Sequence, residues 1–191
     1  MEEYLTKNWL EILGTITGLI YLWQELKVSI WLWLTGIIMP VIYTFVFYKN
    51  GLYADFGIQI YYIIAAIYGF VVWKLGKQNN KSEKIIHTPK KIYLFLFIAV
   101  ICSLIAIYWI LTHFTDSTVP FWDSLTTALS IVALWMLAKK HAEQWIVWFI
   151  VDLISSGLYF YKGIYFTSTL YLLYSIVAIY GYKKWCKMII I

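Results

Sequence analysis

Arginine is absent from this 191-residue chain: all 15 basic side chains are lysines. Phosphate and base-edge recognition lean on the planar guanidinium, so the net charge of +5 does not point to nucleic acid. Charge of either sign is scarce, at 13% against about 25% in a soluble domain. The two cysteines, Cys102 and Cys186, lie in an apolar run and in a basic tail, with neither metal-ligand spacing nor a disulfide framework. His87, His113 and His141 fall in loops and form no HExxH pattern. No Gly-rich loop with Lys and Ser/Thr is present to cradle ATP. No Ser/His/Asp set can be assembled within the apolar runs, and the last run has no buried Lys for a Schiff base. An enzyme is therefore not expected, and neither are a catalytic residue, a metal or a cofactor. The Met-Glu-Glu start lacks a signal peptide's basic n-region, so the first apolar run is expected to stay.

What the chain has in excess is apolar and aromatic surface, 62% and 20% of its residues. Runs long enough to cross roughly 30 Å of hydrocarbon fall near 9–24, 30–48, 53–75, 92–112, 121–138, 144–161 and 164–182. The first is interrupted by Glu11. The connections are short and polar, except for a flexible linker expected at 76–91. With the N-terminus outside, the cytoplasmic segments hold twelve lysines: 27, 74, 77, 81, 84, 90, 91, 139, 140, 183, 184 and 187. Only Lys7, Lys49 and Lys162 then lie outside. The positive-inside rule favours this N-out, C-in orientation.

The chain also repeats itself. Offset by 112 residues without gaps, Trp23 falls on Trp135, Trp33 on Trp145, Gly51 on Gly163, Gly69 on Gly181 and Trp73 on Trp185. Over residues 13–73, 17 of 61 pairs are identical, where so biased a composition gives roughly five by chance. Three helices repeat as three helices, and an odd number needs one intervening span to give both halves the same orientation. The expected fold is an all-α integral membrane protein of seven transmembrane helices, a parallel 3+1+3 duplication. Residues 1–75 form the first repeat. Residues 76–120 form a cytoplasmic linker, helix four and an external loop, and 121–191 form the second repeat with a basic cytoplasmic tail. Parallel repeats occur in transporters with a site between the halves.

Polar side chains inside a bilayer are costly and are functional candidates by default. In helix six, Trp145, Trp148, Asp152, Ser155 and Tyr159 recur on one face. Two indoles beside a carboxylate make a wall for a flat polar or cationic ligand. The plainer alternative is that Trp145 anchors the interface and Asp152 bonds a neighbouring helix. Helix three offers Asp55, Gln59 and Tyr62 on one face, and helix seven Thr167, Tyr171 and Tyr174. Gln59 and Tyr171 lie deeper and differ between the halves, while Gly69 and Gly181 suit close helix packing. Glu11 and Thr15 mirror Asp123 and Thr127 near the outer ends, where a solvated cap explains the acids. The repeat breaks where Gly36 meets Trp148 and Pro40 meets Asp152, which places the chemistry on helix six; Pro40 is expected to kink helix two.

These residues resemble the PnuC family of vitamin-precursor transporters. The resemblance rests on Trp-Leu-Trp at 31–33, Gly-Leu-Tyr-Ala-Asp at 51–55 and Ile-Tyr-Gly at 67–69 and 179–181. It rests further on Phe-Trp-Asp-Ser-Leu-Thr-Thr-Ala-Leu-Ser at 121–130, Glu-Gln-Trp-Ile-Val-Trp at 143–148 and Leu-Tyr-Phe-Tyr-Lys-Gly at 158–163. It implies a SWEET-like architecture in the plasma (inner) membrane and facilitated diffusion of nicotinamide riboside for NAD synthesis. It also implies trapping by a cytoplasmic kinase, and it leaves room for a homo-oligomer. Trp145 and Trp148 resemble the aromatic pair that contacts the base. Gln144 stands where the pattern has Asn, and Leu134 where riboside carriers have Gln, which brings in thiamine as the alternative substrate. Ribose hydroxyls would then look to Gln59, Gln144 or Thr127. The competing class is a non-transport membrane enzyme or structural subunit.

Overall fold

The computed structural model describes residues 2–49, 53–78 and 84–189. Gly51 and the side chains of Glu11 and Asp55 lie outside the described residues. Among the described residues are seven helices: α1 (Glu2–Leu26), α2 (Trp31–Lys49), α3 (Tyr53–Gln78), α4 (Lys90–Phe114), α5 (Pro120–Ala138), α6 (Gln144–Tyr161) and α7 (Tyr165–Ile189). No strand occurs among them. By length and composition, Phe56–Gly76, α4, α5 and α6 suffice to cross a membrane. α4 exposes Leu94, Phe95, Phe97, Ile98 and Ile105, a surface suited to lipid rather than water.

Several of the expected boundaries move: α1 begins at Glu2, and α4 runs to Phe114 and so takes in His113, which was expected in a loop. α7 runs on to Ile189 instead of ending at 182, because residues 183–189 contain no helix breaker and Trp185 is fully buried. The end of the expected linker is not loose either. Residues 84–89 form an extended strap that pairs with the α5–α6 turn: Ile86 N–H donates to the Lys140 carbonyl (3.1 Å), and Ala142 N–H to the Ile86 carbonyl (2.9 Å).

The chain forms two compact units, Met1–Leu75 and Gly76–Ile191. In the first, α1 packs on α2, where the Thr35 hydroxyl donates to Gln24 Oε1 at 2.8 Å. α2 meets α3 through Trp33, which stands edge-on to Trp73 at 5.6 Å and lies against Gly69. In the second, Leu96 of α4 packs on Val132 and Met136 of α5, with Val147 of α6 beside them. α6 and α7 are tied by reciprocal bonds: Ser156 Oγ donates to the Ser168 carbonyl (2.9 Å) and Ser168 Oγ to the Ser156 carbonyl (2.8 Å).

Local geometry recurs at the repeat offset. α1 and α5 each end on a residue in the left-handed region, Val28 (φ 54) and Lys140 (φ 55), exactly one repeat apart. In both, the next N–H reaches back five residues, Ser29 to Gln24 and His141 to Met136, each 2.9 Å. This is the six-to-one bond of a Schellman cap. A left-handed backbone is costly for a β-branched residue, so Val28 sits there because the cap, and not its own preference, decides. The units differ where side chains differ. Gln24 and Thr35 are hydrogen-bonded in the first, whereas their counterparts Met136 and Val147 are apolar and receive α4 in the second.

Candidate functional site

Most of the candidate side chains belong to the second unit. Gln144, Trp145, Trp148 and Asp152 lie on α6, Tyr171 on α7, and Thr127 and Leu134 on α5. Gln59 and Tyr62 are half-buried on α3 of the first unit.

Gln144 and Trp145 are essentially fully buried. Trp145 has a packing role that the sequence did not foretell. Its indole covers Gly181, where a Cβ would come within 2.6 Å of the ring, and meets Trp185 edge-on at 5.8 Å. Its indole N–H has no partner among the described residues, but neither does that of its counterpart Trp33. An orphan shared by both units follows from the packing motif and does not by itself mark a ligand.

Trp148, Asp152 and Ser155 have no such counterpart, since the matching positions are Gly36, Pro40 and Tyr43. The order of large and small is inverted there: Tyr21 packs onto Gly36 in the first unit, while Ala133 and Trp148 hold those places in the second. At about 100° per residue the three side chains share one stripe of α6, between Val147, which joins the α4–α5 core, and Ser156, which faces α7. Trp148 buries its indole N–H without a partner among the described residues. Asp152, near mid-helix, is 7% exposed and Ser155 is 8% exposed, and neither hydrogen-bonds to any described residue. Leaving buried polar groups unpaired is expensive. Alongside runs a ladder of phenols, with Tyr159 and Tyr171 at 5.1 Å and Tyr171 and Tyr174 at 5.6 Å. The Tyr174 hydroxyl is within electrostatic reach of Asp152. Such a stripe can hold a flat cation by ring face and carboxylate and a hydroxyl by Ser155.

Thr127 is half-buried and donates to the Asp123 carbonyl at 2.7 Å. Leu134 is half-buried on the same α5 face, seven residues on, turned away from the Val132–Met136 face that takes α4. Asp123 is engaged by the Ser117 hydroxyl (2.7 Å) and by Lys162 (3.5 Å) rather than by solvent alone.

Two features went unseen in the sequence. Glu25, just beyond the expected first run at 9–24, is 1% exposed at the end of α1; its repeat mate Leu137, buried as well, carried that information. The second is the clamp on the strap. Glu143, next to Gln144, accepts from the Thr88 N–H (2.7 Å) and hydroxyl (2.8 Å), and lies 2.7 Å from His87 Nδ1. Burial pushes the Glu143 carboxyl up, but the bonds from His87 and Thr88 outweigh it and hold the carboxyl below its ordinary range. Contacts 55 residues apart leave no periodic trace.

Residues 8–187 match the family described as Nicotinamide mononucleotide transporter. The nicotinamide riboside transporter PnuC of Escherichia coli K12 is 26% identical over 203 residues, covering 93% of this chain and 85% of its own. The riboflavin/roseoflavin transporter RibM of Streptomyces davaonensis is 24% identical over 180 residues, covering 93% of this chain and 84% of its own. The crystal structure of the Vitamin B3 transporter PnuC, 24% identical, superposes with a TM-score of 0.74 over 97% of this chain and 84% of that one, which shows the fold.

Proposed function

The chain belongs to the nicotinamide mononucleotide transporter family, and from that membership we propose that it carries nicotinamide riboside across the plasma (inner) membrane by facilitated diffusion. It is a multi-pass membrane transporter. The observation that carries the substrate reading is the Trp148–Asp152–Ser155 stripe, in which Asp152 and Ser155 are buried and the buried Trp148 indole N–H has no hydrogen-bond partner among the described residues. Nicotinamide riboside is a flat pyridinium cation with a hydroxylated arm. An indole face and a desolvated carboxylate answer the ring, and hydroxyl partners answer the sugar. A neutral flavin gives Asp152 no countercharge. Thiamine, also a flat cation, is the second reading, and Leu134 is the residue that favours it.

In this proposal all seven helices span the bilayer, N-out and C-in, as a SWEET-like 3+1+3 duplication. The recurrence of cap, tryptophan pair and packing glycine at one offset supports it. Transport is by alternating access, as in carriers built from parallel repeats; in the second unit Tyr171, Thr127, Gln144 and Trp145 are the further candidate lining, and Gln59 and Tyr62 are the candidates on the first unit. A cytoplasmic kinase keeps free substrate low and so allows accumulation. Proteoliposomes holding only this protein should take up labelled nicotinamide riboside down its gradient in either direction. An ATP requirement, or preferred uptake of thiamine or riboflavin, would overturn the reading.

A further inference from the structure

A serine buried in a helix ordinarily turns its hydroxyl back onto a carbonyl three or four residues earlier. In this molecule the other buried serines of α5–α7 are all satisfied. Ser124 donates to the Pro120 carbonyl, Ser130 to that of Thr126 and Ser175 to that of Leu172, while Ser156 and Ser168 bond each other's helices. Ser155 alone makes no hydrogen bond to any described residue, although it is 8% exposed. Within hydrocarbon no water is at hand to satisfy it, and its own helix offers the Val151 carbonyl, which it does not use. One turn before it stands Asp152, and a turn before that the Trp148 indole N–H, both also without hydrogen-bond partners among the described residues.

Resting on the transport reading above, we propose that Ser155 is the specificity residue for the substrate's sugar arm, meeting a ribose hydroxyl while Asp152 and Trp148 hold the cationic ring. The order along α6 gives the ligand a direction, ring toward Trp148 and sugar toward Ser155. The three positions match Gly36, Pro40 and Tyr43 in the first unit, so the second unit alone supplies this subsite.

The test compares two ligands with the same ring: nicotinamide riboside and 1-methylnicotinamide, whose methyl replaces the ribose. Binding by calorimetry and competition for uptake are measured on the full chain in proteoliposomes. Ser155→Ala should weaken the riboside by about three- to tenfold, the worth of one neutral hydrogen bond, and leave 1-methylnicotinamide within about twofold. Ser155→Thr, which keeps the hydroxyl, should recover part of the riboside affinity. Equal weakening of both ligands, or an unchanged riboside, overturns the assignment. A wild type that binds neither ligand overturns the transport reading and the subsite with it. A wild type that binds the riboside, with Ser155→Ala unaffected, overturns the subsite alone.

Discussion

Trp145 lies on Gly181 so closely that any Cβ at 181 would come within 2.6 Å of its indole ring, and Trp33 covers Gly69 in the same way one repeat earlier. Each tryptophan also meets a second one, Trp185 or Trp73, at an interplanar angle of 87°. The glycines are thus set by space rather than by backbone freedom, since both lie inside helices.

Gly181→Ala and Gly69→Ala should each destabilise the protein by about 1–3 kcal/mol, the usual range for overpacking. Trp145→Ala should cost about 3–5 kcal/mol through the cavity it leaves. Thermal unfolding in detergent checks both, and a Gly181→Ala protein as stable as wild type would show that the ring can move aside. Trp73→Ala should also destabilise, because Trp73 completes the first triad.

Much of this was legible beforehand. The ungapped offset paired Trp33 with Trp145 and Gly69 with Gly181 because a glycine under an indole tolerates no substitute, so both copies kept it. The stripe of Trp148, Asp152 and Ser155 was readable from helical periodicity. Their lack of partners was not, since periodicity says which residues share a face and nothing about what the neighbouring helix offers. The strap was illegible for a related reason: Thr88 and Glu143 meet only once α4 and α5 have folded back on each other.

Orientation is checked by reporter fusions. A reporter after Ile191 should read as cytoplasmic and one within 113–120 as external, following the twelve-to-three lysine split. The reverse pattern would overturn N-out, C-in.

The strap should be acid-sensitive. The Glu143 carboxyl is held below its ordinary range, so its stabilisation is fully present above the unfolded value of about 4.3 and is lost as pH falls through the lower folded value. Glu143→Gln should cost on the order of 2 kcal/mol at neutral pH, as for hydrogen bonds to a charged group, and should flatten the acid limb. Unfolding temperatures of wild type and mutant from neutral pH downward provide the check; parallel curves would mean the clamp carries no linkage.

Loss of the ring contacts should be selective for cations. In the proposed site, Trp148→Ala should remove a desolvated cation–π contact of about 2 kcal/mol, or about thirtyfold in affinity. Asp152→Asn removes the countercharge and should weaken nicotinamide riboside by at least about tenfold, while leaving neutral riboflavin no worse. Both mutants keep the Trp145–Gly181 packing, so unfolding temperatures near wild type would separate binding from folding. Equal losses for the cation and the flavin would mean that Asp152 does not read charge.

Selectivity between the two flat cations should turn on α5. Leu134 shares a face with Thr127, one that is turned away from the α4-packed core, but it brings no polar group to a sugar. A site that hydrogen-bonds hydroxyls rejects ligands lacking them far more strongly than an apolar wall can. Ser155 alone, with a short arm and one O–H donor, is a modest substitute for an amide, which carries two N–H donors beside a carbonyl acceptor on a longer arm. Leu134→Gln should therefore raise affinity for nicotinamide riboside relative to thiamine by about three- to tenfold, the worth of one further hydrogen bond. Calorimetry on wild type and mutant with both ligands measures the ratio directly. A wild type that already binds the riboside tightly, with the ratio unchanged in the mutant, would show that Leu134 does not face the ligand and that α6 sets the choice by itself.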